Sequence, residues 1–478
     1  MNLSTNLNKN RLSFIGSIIF LFSIVFFLQS GKTIILISPL VFIIILISLL
    51  RIDYLFYLII FLTPISISSS NLGIKLGSID MALPTEPLLL LSTILTISYF
   101  LQHLKLIKRN LNNSISIAII LYLFWMLISS ITSTMTIVSL KFFLTRLCYI
   151  ITFFFLGIVV LKNKERFNFF TLLYSIPFAL VIVSTIIKHS KYFFDKQSGH
   201  FMMWPYFNDH TSYGAMIAFF IPLLFCVFLN SRKVLLKITT FFLAILFLIG
   251  LILSFSRAAW ISLICATFIM FFIWLKLSVR TLLTILFSLF ITLFVFQNNL
   301  ITTLSTNDQD SSDNLVEHFS SLSNITTDAS NMERINRWKC ALKMFKEKPI
   351  LGWGPSTYQF NYAPYQISRD KTIISTNFGD GGNAHSEYLG ILSESGIIGL
   401  LTLLLLLICV FFKIIKLYYN CLDNDIKRLL LALFVSLLSY FIHSLFNNFL
   451  DMDKASIAVW ASLAIIVSIE QNFKKYCS

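Results

Sequence analysis

Charge is scarce in this sequence. Only 12% of its 478 residues are Asp, Glu, Lys or Arg, about half the share of a soluble globular chain. Hydrophobic residues make up 57%, and mean hydropathy is +0.82. A surface so poor in charge suits lipid rather than water, so the expectation is a protein that crosses a membrane many times. Acidic residues are scarcer than basic ones, 22 against 37, which leaves a net charge of +15. That balance does not point to nucleic acid, because the basic residues fall in short clusters between apolar runs, where orientation signals belong. Other familiar devices are missing too. There is no P-loop, no Gly-rich dinucleotide fingerprint, no Ser-His-Asp order, no internal repeat and no heptad array. The seven cysteines suggest no disulfide framework, since most lie in apolar or basic segments and Cys340 stands alone in a long polar loop. No small-residue cleavage site follows the first apolar run, which reads as a retained first helix.

What is present is a series of apolar runs of about twenty residues, each able to cross a bilayer as a helix. Fourteen candidates stand at roughly 12–29, 33–50, 54–70, 84–101, 114–133, 142–161, 167–187, 211–229, 236–253, 258–275, 281–297, 387–412, 428–449 and 455–471. Tight turns at 51–53 and 254–257 make twelve the alternative count. The expected fold class is an all-α polytopic membrane protein of 12–14 transmembrane helices, with one large outward-facing loop carrying an amphipathic surface helix. The chain divides into N-terminal spans (1–204), core spans (205–297), the large loop (298–386) and C-terminal spans (387–478). With the N-terminus in the cytoplasm, the clusters "HLKLIKRN", "KNKER", "SRKVLLK" and "KIIKLYYNCLDNDIKR" all fall inside, as does the tail "KKYCS". Chemistry in the outer loops then has no nucleotide available to it.

The large loop has internal order. An acidic, Ser-rich stretch at 305–324 reads as unstructured. In "SNMERINRWKCALKMFKEKP", Ser330 and Glu333 have capping-box spacing, and Trp338, Leu342 and Phe345 share a helical face. Pro349 ends the run. This is the expected surface helix.

Arginines break the charge rule. Arg257 and Arg146 sit near outer helix ends, where snorkelling to headgroups explains them as readily as ligand binding does. With Arg334 and Arg337 on the surface helix, they could hold a lipid-linked phosphate through bidentate contacts. His385 stands just before an apolar run, so a helix N-terminus is expected to disfavour its imidazolium and leave a neutral base. No neighbour has metal-ligand spacing, so no metal is expected. Glu394 lies about two turns into the following span, where it must be paired or protonated. His443, Asn447 and Asp451 fall on one face if their span continues as a helix, and "NDHTSYG" offers Asp209, His210 and Tyr213. Either group could line a polar cavity.

Three segments in order, "SFSRAAWISL", "RINRWKCALKMFKEKPILGWGPSTYQF" and "NAHSEYLGILSESGIIGLL", resemble the O-antigen ligase and polymerase family over roughly 205–450. The family's His-Asn pair reads His385-Ser386 here. The resemblance implies an inverting glycosyltransferase at the periplasmic face of the bacterial inner membrane. It would move a polysaccharide from undecaprenyl diphosphate to lipid A–core without cofactor or metal. His385 would be the base, and Arg257 and Arg334 would hold the diphosphate, with Arg337 the alternate. Arg146, Asp209 and Tyr213 are added as substrate contacts from charge and position alone. The alternatives are a polymerase that extends the lipid-linked glycan and a lipid-linked glycan transporter, although transport would favour charges deep in facing helices and an internal repeat.

Overall fold

The computed structural model describes residues 51–73, 80–276, 329–367 and 382–472, together with Thr284, Lys371 and Ser375. The candidate spans at 12–29, 33–50 and 281–297, the acidic stretch 305–324 and the basic tail lie outside the described residues.

Helices dominate because each apolar run must satisfy its own backbone in lipid. In chain order they are α1 (Ile52–Leu62), α2 (Thr85–Gln102), α3 (Leu104–Leu111), α4 (Ser114–Ile131), α5 (Thr136–Val160), α6 (Lys164–Ser190), α7 (His210–Asn230), α8 (Val234–Leu253), α9 (Arg257–Trp274), α10 (Ala329–Glu347), α11 (Glu387–Asn420), α12 (Asn424–His443) and α13 (Asp453–Gln471). Among the described residues, eight of these are long and apolar enough to cross a membrane, or nine if the sharply bent pair α2–α3 is one span. Their outward faces stay apolar: Leu235, Ile264, Ile408 and Phe412 are all exposed. Hydrophobic side chains in such numbers on the outside are at home only against lipid. The chain is an all-α polytopic membrane protein.

The expected run at 54–70 is too long. Pro64 lacks the N–H that a helix interior needs, so α1 closes at Leu62 in a 3₁₀ turn, Thr63–Ile65. The chain then enters a small hairpin, β1 (Ile67–Ser68) against β2 (Ala82–Leu83), paired Ile67 to Leu83. Eleven residues rise only about 17 Å, short of a bilayer core.

At the centre stands α13, buried on every side from Asp453 to Ile469. Its sequence, "ASIAVWASLAIIVSI", places Ala and Ser all around the helix, and small residues let neighbours approach closely. α7 packs between α8 and α12, α9 leans on α12, and α4 pairs with α11.

α11 is two helices rather than one. Gly396 takes φ 68° and ψ −171°, which breaks the hydrogen-bond ladder inside a 34-residue run. The carbonyls freed by the break find new donors. The Ser393 carbonyl accepts Trp353 N–H (3.1 Å), the Glu394 carbonyl accepts Gly354 N–H (2.7 Å), and the Ser395 carbonyl accepts Trp125 Nε1–H (2.8 Å). Ile397 N–H goes to the Pro349 carbonyl at 2.9 Å. The Gly-Trp-Gly turn of the large loop is thus stitched into the broken helix, and buried backbone groups stay satisfied. A Cβ at Gly396 would meet the Ile350 carbonyl oxygen at 2.0 Å. Gly396 of "ESGIIG" therefore serves the break itself.

The chain ends its helices in two layers. The α5–α6, α7–α8 and α11–α12 turns share one end, joined by Lys164 to Asp425 (3.2 Å), Asn230 to the Asp425 carbonyl (3.0 Å) and Arg428 to Asn230 (2.6 Å). The α4–α5 turn, the large loop and the α12–α13 connector share the other, joined by Thr134 to Trp353, Arg146 to Asp451 and Glu387 to Ser444. His385 lies in this second layer.

Candidate active site

α10 packs on the protein through a face that the sequence reading did not single out. Glu333, Asn336, Arg337, Cys340, Ala341 and Met344 are the buried residues, at i, i+3, i+4, i+7, i+8 and i+11, while Leu342 is exposed. Cys340, Ala341 and Met344 form a small core with Tyr358, Tyr362 and Ala384. Each fully buried side chain of Met or Tyr size contributes about 1.5–3 kcal/mol, so the helix is seated on the protein, with Leu342 exposed and Trp338 and Phe345 half-buried at the edge of the seat. Ser330 lies inside the helix rather than at its cap, and Glu333 pairs forward with Arg337.

Arg337 is the pin of this seat. Its Nε donates to Glu333 Oε1 at 2.7 Å, Nη1 to the Asn383 carbonyl at 3.1 Å and Nη2 to the Tyr362 hydroxyl at 3.4 Å. The guanidinium also lies 4.7 Å from the Tyr362 ring centroid. Gly382 passes beside it at φ 90°, where a Cβ would meet Nη1 at 2.2 Å. A buried arginine so fully engaged holds the loop that delivers His385.

His385 itself has φ 48°, a left-handed backbone rare for a residue with a side chain. Such conformations persist where the surroundings over-determine them, and they cluster at functional sites. Here the His385 N–H donates to Asn383 Oδ1 (2.9 Å), and its carbonyl accepts from Trp338 Nε1 (3.1 Å). Ser386 then caps α11, its Oγ accepting Leu389 N–H at 3.4 Å. Asn and Ser are comparable N-caps, which accounts physically for Ser386 where the family pattern has Asn. Glu387 N–H is shared by the Ser444 and Asn447 carbonyls, which locks the α12–α13 connector against this loop.

The His385 pKa falls to about 4, chiefly because burial penalises the charged ring, and then because Arg337 and Arg334 repel it. Glu333 and Asp209 oppose that shift. The shift favours a neutral imidazole, and its causes are burial and two arginines rather than the helix end that the sequence suggested. The charges of Arg334 and Asp209 also bear on His443, and that of Arg334 on His210. The structure therefore brings His385, Arg334, Asp209, His210 and His443 into one electrostatic neighbourhood. His443 Nε2 and Asn447 Nδ2 are buried there without a hydrogen-bond partner among the described residues.

The other expected residues are placed as follows by the helices that carry them. Asp209 is the N-cap of α7, its Oδ1 accepting Ser212 N–H at 2.7 Å, so it serves the helix as well as the site. Tyr213 is 1% exposed and packs between Phe178 and Phe207 in the apolar core. Arg257 opens α9 after a turn whose Ser254 and Ser256 press on Gly214, at the same end of the bundle. Arg146 lies ten residues into α5, about 15 Å from its start rather than near the helix end, and is paired with Asp451 at 2.5 Å. His443, Asn447 and Asp451 do not share a helical face, because α12 ends at His443 and the other two lie in the connector. Glu394 accepts Tyr358 N–H at 2.9 Å.

Sequence reasoning missed several residues. Trp338 and Asn383 hold His385 through backbone atoms, for which side-chain type gives no signal. His200 stacks on His210 with ring centroids 4.0 Å apart. Asp453 and Lys454 form a buried pair 3.3 Å apart at the head of α13, with Thr85 and Ser66 on the two charges. Two adjacent charges between apolar runs at "DMDK" were a readable sign of that pair. Among the described residues no three His, Cys, Asp or Glu side chains stand where they could hold a metal ion.

None of the curated proteins matches the chain. Residues 241–404, from α8 through the large loop into α11, match the family model described as O-antigen ligase. That segment holds Arg257, Arg334, Arg337 and His385 and stops before Asp451. Over that third of its length the chain is similar to the O-antigen ligase family.

Proposed function

We propose that this protein is an inverting, metal-independent glycosyltransferase that moves O-antigen polysaccharide from undecaprenyl diphosphate to lipid A–core at the periplasmic face of the bacterial inner membrane. The observation that carries the reading is the half-buried His385, held in a left-handed turn within the segment that matches the family, with its pKa lowered by burial, Arg337 and Arg334.

The chemistry is one displacement. An acceptor hydroxyl attacks the anomeric carbon, the new C–O bond forms, and the bond to the diphosphate oxygen breaks with its electron pair leaving on the diphosphate. The hydroxyl proton passes to the neutral imidazole of His385. Arg334 and Arg257 neutralise charge on the departing diphosphate, which is worth most in a site shielded from water. A bound diphosphate also offsets the two guanidiniums that repel the imidazolium, so donor binding makes His385 the stronger base. Both substrates are lipids, which is why the base sits at the membrane boundary.

The polymerase reading keeps one structural support: Arg146 and Lys141 form a second basic cleft at the same end. The test is transfer by the purified protein in proteoliposomes given undecaprenyl-diphosphate polysaccharide and lipid A–core. The ligase reading expects polysaccharide on lipid A–core, and none with His385→Ala. Glycan that only lengthens on undecaprenyl diphosphate makes the protein a polymerase.

A further inference from the structure

Two cavities adjoin behind the His385 loop. One, of about 400 Å³, lies between α5, the Ser356–Phe360 turn and the connector into α13, and is lined by Lys141, Arg146, Tyr149, Phe142 and Phe360 among others. The second, of about 260 Å³, is lined by amides and carboxylates: Gln359, Asn383, Glu394, Asn448 and Asp451. Ser356, Gln359 and Asp451 belong to both, so the two run together. Ala384, next to His385 in the chain, is in the wall of the polar one.

The chemistry changes along this path. At its outer part the walls are apolar and exposed, with Ile137 87% and Phe360 45% accessible, as acyl chains would require. Next come two cations, the exposed Lys141 and the buried Arg146. Asp451 engages only Arg146 Nη2; Nη1 and the Tyr149 hydroxyl are buried with no partner among the described residues. Buried donors left open in this way are costly unless something accepts from them. Beyond them the amide-rich cavity offers paired donors and acceptors of the kind that read sugar hydroxyls, and its wall includes Ala384, the residue before His385.

We propose that this path binds the acceptor: an acylated glycolipid whose phosphate sits on Lys141 and Arg146 and whose sugars run past Gln359, Asn383 and Asn448 toward His385. The assignment rests on the glycan-transfer reading, and it separates the acceptor from a donor held at Arg334. Arg146 then belongs to the acceptor rather than to the diphosphate leaving group.

The test is direct binding of fluorescent lipid A, a bis-phosphorylated acylated disaccharide, to the full-length protein in detergent, with undecaprenyl diphosphate and inorganic pyrophosphate as competitors. Loss of one charge-assisted contact in Lys141→Gln is expected to weaken lipid A binding about tenfold. Arg334→Lys is expected to keep binding within about twofold while losing transfer. Lys141 is exposed, so its variant keeps the Arg146–Asp451 pair and the fold. Unchanged lipid A affinity in Lys141→Gln overturns the proposal. Equal or tighter displacement by undecaprenyl diphosphate overturns it too, since the cleft is then a polyprenyl-diphosphate site, as does equal displacement by free pyrophosphate. Lys141-dependent binding of lipid A by a wild-type protein that transfers no glycan supports the cleft and overturns the transfer reading alone.

Discussion

Arg146 and Asp451, 305 residues apart in the chain, meet in an ion pair of 2.5 Å that ties α5 to the α12–α13 connector. Arg146 is 3% exposed at the side chain and Asp451 41%, so the pair is dry on one side and wet on the other. Removing the carboxylate strands a buried guanidinium. Asp451→Asn is expected to destabilise the protein by about 2 kcal/mol, read as a lower unfolding midpoint in detergent. An Arg146→Met, Asp451→Leu double variant recovers most of that loss if the pair is structural. A midpoint unchanged in Asp451→Asn removes the pair from the fold's supports.

For the base, His385→Ala is expected to cut transfer by about 10²–10⁴ while protein still accumulates in the membrane. Near wild-type turnover by the purified variant assigns His385 to structure alone.

The pH profile carries a sign. His385 must be neutral to take a proton, and its pKa in the free protein is about 4, below the ordinary value, because of burial and the two arginines. The acid limb of kcat/KM is therefore expected near pH 4, with activity falling as pH drops through that point and holding from about 5 to 7. Arg334→Gln removes one repelling charge and moves the limb toward higher pH. A limb at the ordinary histidine value would falsify the buried, arginine-flanked description of the ring.

For the two arginines of the surface helix the proposed function expects different effects. Arg337 makes three side-chain hydrogen bonds inside the protein. Arg337→Lys cannot remake them, so the expected result is lower stability with activity lost alongside it. Arg334→Lys is expected to leave the unfolding midpoint in place and lower transfer. The opposite division, a stable Arg337→Lys and an unstable Arg334→Lys, exchanges the roles.

The break in α11 makes a contrast between two glycines. Gly396→Ala places a side chain at φ 68° and 2.0 Å from the Ile350 carbonyl, and is expected to cost at least about 2 kcal/mol. At Gly390 the nearest atom to a new Cβ is Asn448 Nδ2 at 3.5 Å, an ordinary contact, so Gly390→Ala is expected to fold as the parent does. Comparable folded yields for both variants in detergent defeat this account of the break.

The sequence by itself determined the membrane character, because apolar runs of spanning length are a property of the chain read locally. It also marked His385 and the arginines, since cations near apolar runs stand out from a hydrophobic background. The surface helix was legible in its existence but not in its seating: its buried face holds Glu333, Asn336 and Arg337, polar residues that only a partner loop can satisfy, while Leu342 of the apolar stripe is exposed. Pro64 was a visible stop signal inside an otherwise apolar run. Gly396 was not readable as a break, because a glycine in an apolar helix serves close packing as often as it serves a turn. What the tertiary structure decided were the pairings across long stretches of chain: Arg146 with Asp451, Trp338 with the His385 carbonyl, and the Gly-Trp-Gly turn with the carbonyls that Gly396 frees. In the low dielectric of a membrane protein every buried polar group needs a partner, and the chain alone says which groups are needy but not which of them will meet.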